Sequence, residues 1–281
     1  MSYKSIFTVA TNAAQLPLVI SSAAKLCRGN DAHLDVLALA VDRTQVGYSY
    51  VGSGAVVLQI ALERAEAEAR AIEKAAKAAI MAEPADLRHS VEAVVAQMGA
   101  LTDLVAQRVR FSDLVVLGHP YGRDQGADAE AVVEAALFEG QSAVMVLPES
   151  GLPSATPKRV VIAWNQSREA MAAVRRALPM LKAADMVDIT VIDPPTHGPE
   201  RSDPGGLLCQ MLVRHGVKAE VSVLARTLPR VSDVLLRHIT DQDADLVVMG
   251  AYGHSRFREA ILGGATRNML EHATVPVLMA H

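Results

Sequence analysis

The chain has 281 residues, of which 51% are hydrophobic and 21% charged, with a formal net charge of -4. Such a length invites a search for two domains, and the scattered Lys and Arg argue against a large nucleic-acid footprint. No apolar run approaches the roughly 20 residues needed to span a bilayer. Met1 to Leu18 lacks the cationic stretch, long apolar core and small-residue cleavage site of a secretion signal. A cytoplasmic protein without membrane contact is therefore expected. Cys27 and Cys209 lie far apart with no Cys-x2-Cys spacing, so neither a disulfide framework nor a zinc site is suggested; both read as buried free thiols.

From the N-terminal end, the pattern predicts a strand near Ile6 to Thr11, a helix from Gln15 to Leu26 and a strand from His33 to Val41. After the Gly-rich stretch Gly47 to Gly54 comes a long Ala-rich helix, Val56 to Met81. Its Glu63, Glu66, Glu68 and Glu73 with Arg64, Arg70, Lys74 and Lys77 mark a solvated face. A strand from Leu87 to Val95, a helix from Leu101 to Phe111, a strand from Asp113 to Gly118, a helix from Ala127 to Phe138 and a strand from Ala143 to Leu147 follow. Strands alternating with helices imply a doubly wound parallel sheet.

The chain then repeats. Asp113-Leu114-Val115-Val116-Leu117-Gly118 is echoed by Asp245-Leu246-Val247-Val248-Met249-Gly250, and the segment from Lys4 by the segment from Lys158. Between the copies, Pro148 to Pro157 has the Pro, Ser and Gly content of a linker. The domains are accordingly expected at 1-149 and 156-281. Strands in the second fall near Arg159 to Trp164, Val187 to Asp193, Ala219 to Ala225, Asp245 to Gly250 and Val277 to Ala280. Helices fall near Ser167 to Lys182, Gly206 to His215, Val231 to Asp241 and Thr266 to His272.

The second copy carries the clearest chemical signal. Leu246-Val247-Val248-Met249 reads as a strand buried on both faces. It is followed by Gly250, Gly253, Gly263 and Gly264, with Ala265-Thr266 opening a helix, so the spacing is Gly-x2-Gly-x9-Gly. Glycines at a strand exit and a helix entry allow close backbone approach, and amides at a helix N-terminus favour phosphate. The plain alternative is turn glycines and an ordinary helix start. Neither a Walker loop nor a dinucleotide fingerprint is present.

At these residues the sequence resembles the universal stress protein family. Its nucleotide-binding members carry Gly-x2-Gly-x9-Gly followed by Ser or Thr, matched by Gly250, Gly253, Gly263 and Thr266; Gly264 sits where Ser is usual. The resemblance implies two tandem five-stranded parallel sheets of order 3-2-1-4-5, the adenine nucleotide alpha hydrolase-like fold. It also implies ATP or a similar adenine nucleotide, with Mg or Mn, as cofactor. The implied contacts are Ala163, Trp164, Asn165 and Ser167 after the first strand of the second half, backbone around Val191 near the adenine, and Gly250, Gly253, Gly263, Gly264, Ala265 and Thr266 around the phosphates. Asn165 stands where Asp is usual. Its alternative is an Asx-turn or N-cap, and that of Trp164 is core packing.

In the first half Tyr121 aligns with Gly253, and Glu130 and Ala131 with Gly263 and Gly264. A carboxylate facing phosphate costs roughly 4 kcal/mol at 4 Å and an effective dielectric near 20, so the first half is expected to have lost the site. His254, Ser255, Glu271 and His272 form no nucleophile elbow, and His197, His215, His238 and His281 lack metal-ligand spacing. No catalytic residue and no metal ligand is assigned; turnover would be at most slow ATP hydrolysis. Two readings stand: a nucleotide-dependent stress-response regulator, and an interaction protein of the same family that uses no nucleotide. The final strands, Ala143 to Leu147 and Val277 to Ala280, are expected to pair within one chain as a pseudo-dimer, since exposed apolar edges are an association liability. Further homo-oligomer assembly stays open.

Overall fold

A computed structural model describes residues 2-44, 54-121, 126-194, 202-251 and 264-281. The first half contains β1 (Ser5–Ala10), α1 (Leu16–Asn30), β2 (His33–Asp42), α2 (Gly54–Met81), β3 (His89–Gln97), α3 (Leu101–Val109), β4 (Leu114–Leu117), α4 (Ala127–Leu137) and β5 (Val144–Val146). The second contains β6 (Arg159–Ala163), α5 (Arg168–Ala183), β7 (Met186–Ile192), α6 (Gly206–Arg214), β8 (Ala219–Leu224), α7 (Val231–Asp241), β9 (Leu246–Gly250), α8 (Ala265–His272) and β10 (Val277–Ala280). A single 3-10 turn, Met98–Ala100, introduces α3 and was not expected from the pattern. The stretch 47-53 of the Gly-rich segment lies outside the described residues.

The two expected sheets are joined edge to edge into one of ten strands, ordered β3-β2-β1-β4-β5-β10-β9-β6-β7-β8. Each half keeps the order 3-2-1-4-5, and all pairs are parallel except the junction, where β10 runs antiparallel to β5 with Val277 opposite Val146, Leu278 opposite Met145 and Met279 opposite Val144. The expected pairing of the last strands is thereby realised. Alternate strand residues point to opposite faces, and each face has its own core. Helices α1, α2, α5 and α6 cover the face carrying Ile6, Leu34, Val160, Ile162 and Leu278. Helices α3, α4, α7 and α8 cover the face carrying Leu37, Val115, Val161, Val247 and Met279.

The repeated Asp-Leu-Val-Val has a structural cause. Asp113 accepts from the backbone N–H groups of Lys4 at 2.6 Å and Ser5 at 3.1 Å, so the residue before β4 ties down the start of β1. Asp245 does the same for β6, accepting from Lys158 at 2.8 Å and Arg159 at 3.0 Å. Charge-assisted bonds of this kind are among the stronger ones.

The segment between the halves is docked on α1. The Leu152 N–H donates to Ser22 Oγ at 3.1 Å, Lys25 Nζ donates to the Leu152 carbonyl at 3.0 Å, and the Leu152 side chain is buried. Across the halves, Tyr3 Oη donates to the Arg176 carbonyl at 2.8 Å. Helix α1 runs four residues beyond its expected end at Leu26, through Gly29, until Asp31 closes it in the left-handed region at φ 52 with its N–H on the Cys27 carbonyl. Gly29 lies inside the helix, and a Cβ added to it would be 3.1 Å from the Ala155 methyl of the connecting segment. Cys27 is buried as expected, and desolvation pushes its thiol up to about 12. Cys209 corrects the expectation: it is only partly buried, because α6 lies at the outer end of the sheet.

Met279 is wholly buried at the junction. Met279→Ala should lower the unfolding free energy by about 2–5 kcal/mol, the usual cost of truncating a core methionine. Urea denaturation followed by circular dichroism measures it.

Candidate functional site

In an open parallel sheet the ligand crevice lies beyond the carboxyl ends of the strands where the order reverses. In the second half that point is between β6 and β9, which run side by side with Ala163 in register with Met249. The chain leaves β6 through a tightly bonded turn. Trp164 still donates its N–H to the Thr190 carbonyl at 3.0 Å, and its side chain is buried in the core under α5 and α6. Its indole Nε1 has no hydrogen-bond partner among the described residues. Asn165 is exposed, and its Oδ1 accepts the Ser167 N–H at 3.1 Å, which is an Asx-turn. Gln166 follows at φ 62, and Ser167 caps α5, its Oγ accepting the Ala170 N–H at 3.0 Å. Val191 on β7 pairs with Val223 and buries its side chain on the α5 face.

Gly250 closes β9 directly against that helix. A Cβ on it would lie 2.5 Å from the Ala170 amide nitrogen and 2.8 Å from the Glu169 carbonyl carbon, both backbone atoms. Close packing of α5 on the strand therefore requires glycine here whether or not a ligand binds. Ala251 is wholly buried and donates its N–H to the Ala280 carbonyl at 2.9 Å. Tyr252, Gly253, His254, Ser255 and Gly263 lie outside the described residues.

The chain re-enters at Gly264, the N-cap of α8, with φ -52, ψ 160 and no side-chain cap. Ala265 opens the helix, and Thr266 is buried in its first turn. The first turn of α8 contains no acidic residue. Ser167 supplies α5 with a side-chain cap, whereas Gly264 has no side chain with which to cap α8.

The corresponding place in the first half is filled from within. Gln15 lies across Gly118, its Oε1 1.9 Å from the position of an added Cβ, and its Nε2 donates to the His119 carbonyl at 3.2 Å. The space left between Val9, Asn12, Gln15, Leu117 and His119 is about 40 Å³, room for little more than a water molecule. Helix α4 has Asp128 and Glu130 in its first turn. Asp128 pairs with Arg43 of β2's exit, and Glu130 accepts from Tyr121 Oη at 3.0 Å. The helix starts at Ala127 as expected, after the N-cap Gly126, so Glu130 and Ala131, aligned with Gly263 and Gly264, are its fourth and fifth residues, and Gly126 stands at the N-cap place that Gly264 holds in α8.

One buried polar group escaped the sequence reading. Asp188, in the middle of β7, alternates with Val187 and Ile189 and so faces α7. There its Oδ2 accepts from Thr190 Oγ1 at 3.1 Å and meets His238 Nε2 at 2.5 Å. Its Oδ1 is buried without a partner among the described residues. No spacing links residues 188 and 238; only the strand's broken apolar run hinted at it. Among the described residues, no group of three or more His, Cys, Asp or Glu could hold a metal ion. No helix among them is long and apolar enough to cross a membrane.

Fold and site define a tandem doubly wound α/β protein whose second half begins its last helix at Gly264 without a side-chain cap. The model of the Universal stress protein family matches residues 156–281. A universal stress protein of Synechocystis is 28% identical over 128 residues, 44% of this chain and 42% of that one, so the match spans less than half of either protein. The crystal structure of a universal stress protein from Archaeoglobus fulgidus matches 98% of this chain and 95% of its own, with a TM-score of 0.67 and 14% identity. That of a functionally unknown protein from Pseudomonas aeruginosa matches 98% and 92%, with a TM-score of 0.56 and 13% identity. At such identities the structural likeness shows the fold alone. The match to the universal stress protein family is thus carried by residues 156–281, and over its length the chain has the fold of the tandem structures it resembles.

Two variants test the packing around the site. Gly250→Ala should cost about 1–3 kcal/mol, because backbone rather than a movable side chain opposes the new methyl. His238→Leu should cost about 3–5 kcal/mol by leaving the Asp188 carboxylate buried with Thr190 alone. Thermal and urea melts read both; a change below about 0.5 kcal/mol in either would be the range of neutral surface substitutions and would contradict the assignment.

Proposed function

We propose that the second half binds one ATP, or a similar adenine nucleotide, and that the protein acts as a nucleotide-dependent regulator in stress response. The domains on this reading are 1-149 and 156-281, of which only the second holds ligand. The observation that carries it is the contrast between two homologous helix starts. Both helices start at a glycine N-cap, Gly264 and Gly126, but α8 has no acid in its first turn and carries Thr266 there, while α4 has Asp128 and Glu130 already bonded to Arg43 and Tyr121. An anion gains about 0.3–1 kcal/mol from such a helix end, and the first half meets the same field with its own carboxylates.

The residues present fit a nucleotide better than they fit a protein-held metal. Gly264, Ala265 and Thr266 would meet phosphate, together with the motif glycines Gly253 and Gly263; Ala163, Trp164, Asn165, Ser167 and Val191 would line the nucleoside side. Asn165 supplies no charge, so Mg or Mn would be held by phosphate oxygens and water rather than by a carboxylate. A bound metal–triphosphate complex supplies Lewis-acid polarisation, and slow hydrolysis would need only a placed water. A second reading, an interaction protein that uses no nucleotide, is favoured by the Asn165 carbonyl being turned back onto the Ser167 N–H.

Calorimetric titration of ATP into nucleotide-stripped protein should give a stoichiometry of one. Gly264→Ser restores a hydroxyl and should tighten binding by about 0.5–1.5 kcal/mol, the worth of one hydrogen bond. Gly253→Val should abolish it. A stoichiometry of two overturns the loss in the first half, and absence of heat in the unmodified protein favours the interaction reading.

A further inference from the structure

Arg267, the third residue of α8, holds its guanidinium carbon 5.1 Å from the centre of the Tyr121 ring, while its Nε donates to Glu271 Oε1 at 2.8 Å. Tyr121 belongs to the other half. It follows β4, where its hydroxyl donates to Glu130 on α4. One side chain thus runs from the first turn of the helix read above as the anion end of the second half to the residues that fill the first.

That side chain has two directions open to it. Helical side chains lean toward the N-terminus of their own helix, so residue 267 naturally projects toward Gly264 and Thr266. Here its partners hold it the other way, toward Glu271 one turn onward and across to Tyr121. It is more than half exposed, so the swing meets little packing. The guanidinium is held above its ordinary pKa by the hydrogen bond to Glu271 first, then by Tyr121 and Glu130, and an arginine side chain stays protonated in proteins in any case.

We propose that Tyr121 and an anion at the start of α8 compete for Arg267, so that the first half reads occupancy of the second. This rests on the ATP reading above. Triphosphate draws the guanidinium off the ring; Tyr121 keeps its bond to Glu130 and its contact with His119, and the surface around α4 loses this tie to α8. By linkage the effect is reciprocal: a change at Tyr121, in the half that holds no nucleotide, must alter affinity in the half that does.

Calorimetric titration of ATP into the full chain tests it. Tyr121→Leu should tighten binding about two- to fivefold, the range an exposed cation–π contact is worth. Tyr121→Phe keeps the ring, drops the bond to Glu130, and should bind as the unmodified protein does. Arg267→Gln, a change at an exposed position, should weaken binding, and in that background Tyr121→Leu should have no effect. Equal affinity of Tyr121→Leu and the unmodified protein overturns the coupling, as does a Tyr121 effect that survives Arg267→Gln. If Tyr121→Leu does not fold, undiminished affinity in Arg267→Gln still overturns it. ATP binding without any difference among the variants defeats the coupling alone, whereas no binding by the unmodified protein defeats the ATP reading and the coupling together.

Discussion

The antiparallel contact between β5 and β10 is the constraint on which the architecture rests. Only three residue pairs make it, and all are buried apolar side chains. Without it, each half would end in an unpaired apolar strand, open to pairing with other chains. With it, the two sheets become one, and the helices of both halves align into two continuous layers. The contact also sets the two strand-reversal points on either side of the junction, and this brings Arg267 of one half over Tyr121 of the other.

Within each half a single carboxylate does comparable work. Asp113 and Asp245 each reach back to the first strand's opening amides and set the register of strand four on strand one. Those two strands form the crevice, so the geometry at Gly250 depends on an interaction at the opposite end of the sheet. The glycine itself is demanded by the first turn of α5. Its presence therefore says less about phosphate than its place in a motif suggests.

Much of this was legible in the sequence. Apolar runs such as Leu246 to Met249 and the alternation of strands with helices identified the elements to within a few residues, and the Asp-Leu-Val-Val echo exposed the duplication. The strand order came from family resemblance, since no local pattern encodes which strands become neighbours. Contacts between distant residues were not legible. The Asp188–His238 pair joins a strand to a helix 50 residues away. The Gln15 side chain over Gly118 depends on where α1 begins relative to β4, and the close approach of Gly29 to Ala155 joins residues 126 positions apart. At Asn165 two readings were open, and the Asx-turn is formed; Trp164 lies in the core, as its type favours.

The docked connection between the halves bears on how such a chain could diverge. Two separate copies would have to find each other through β5 and β10 at whatever concentration a cell supplied. Joined by a segment pinned to α1 through Leu152, they meet at an effective concentration fixed by geometry. The first half is then needed as a partner edge whatever its own crevice contains. Positions such as Gln15 and Glu130 take no part in that edge, whereas Val144, Met145 and Val146 face β10 directly.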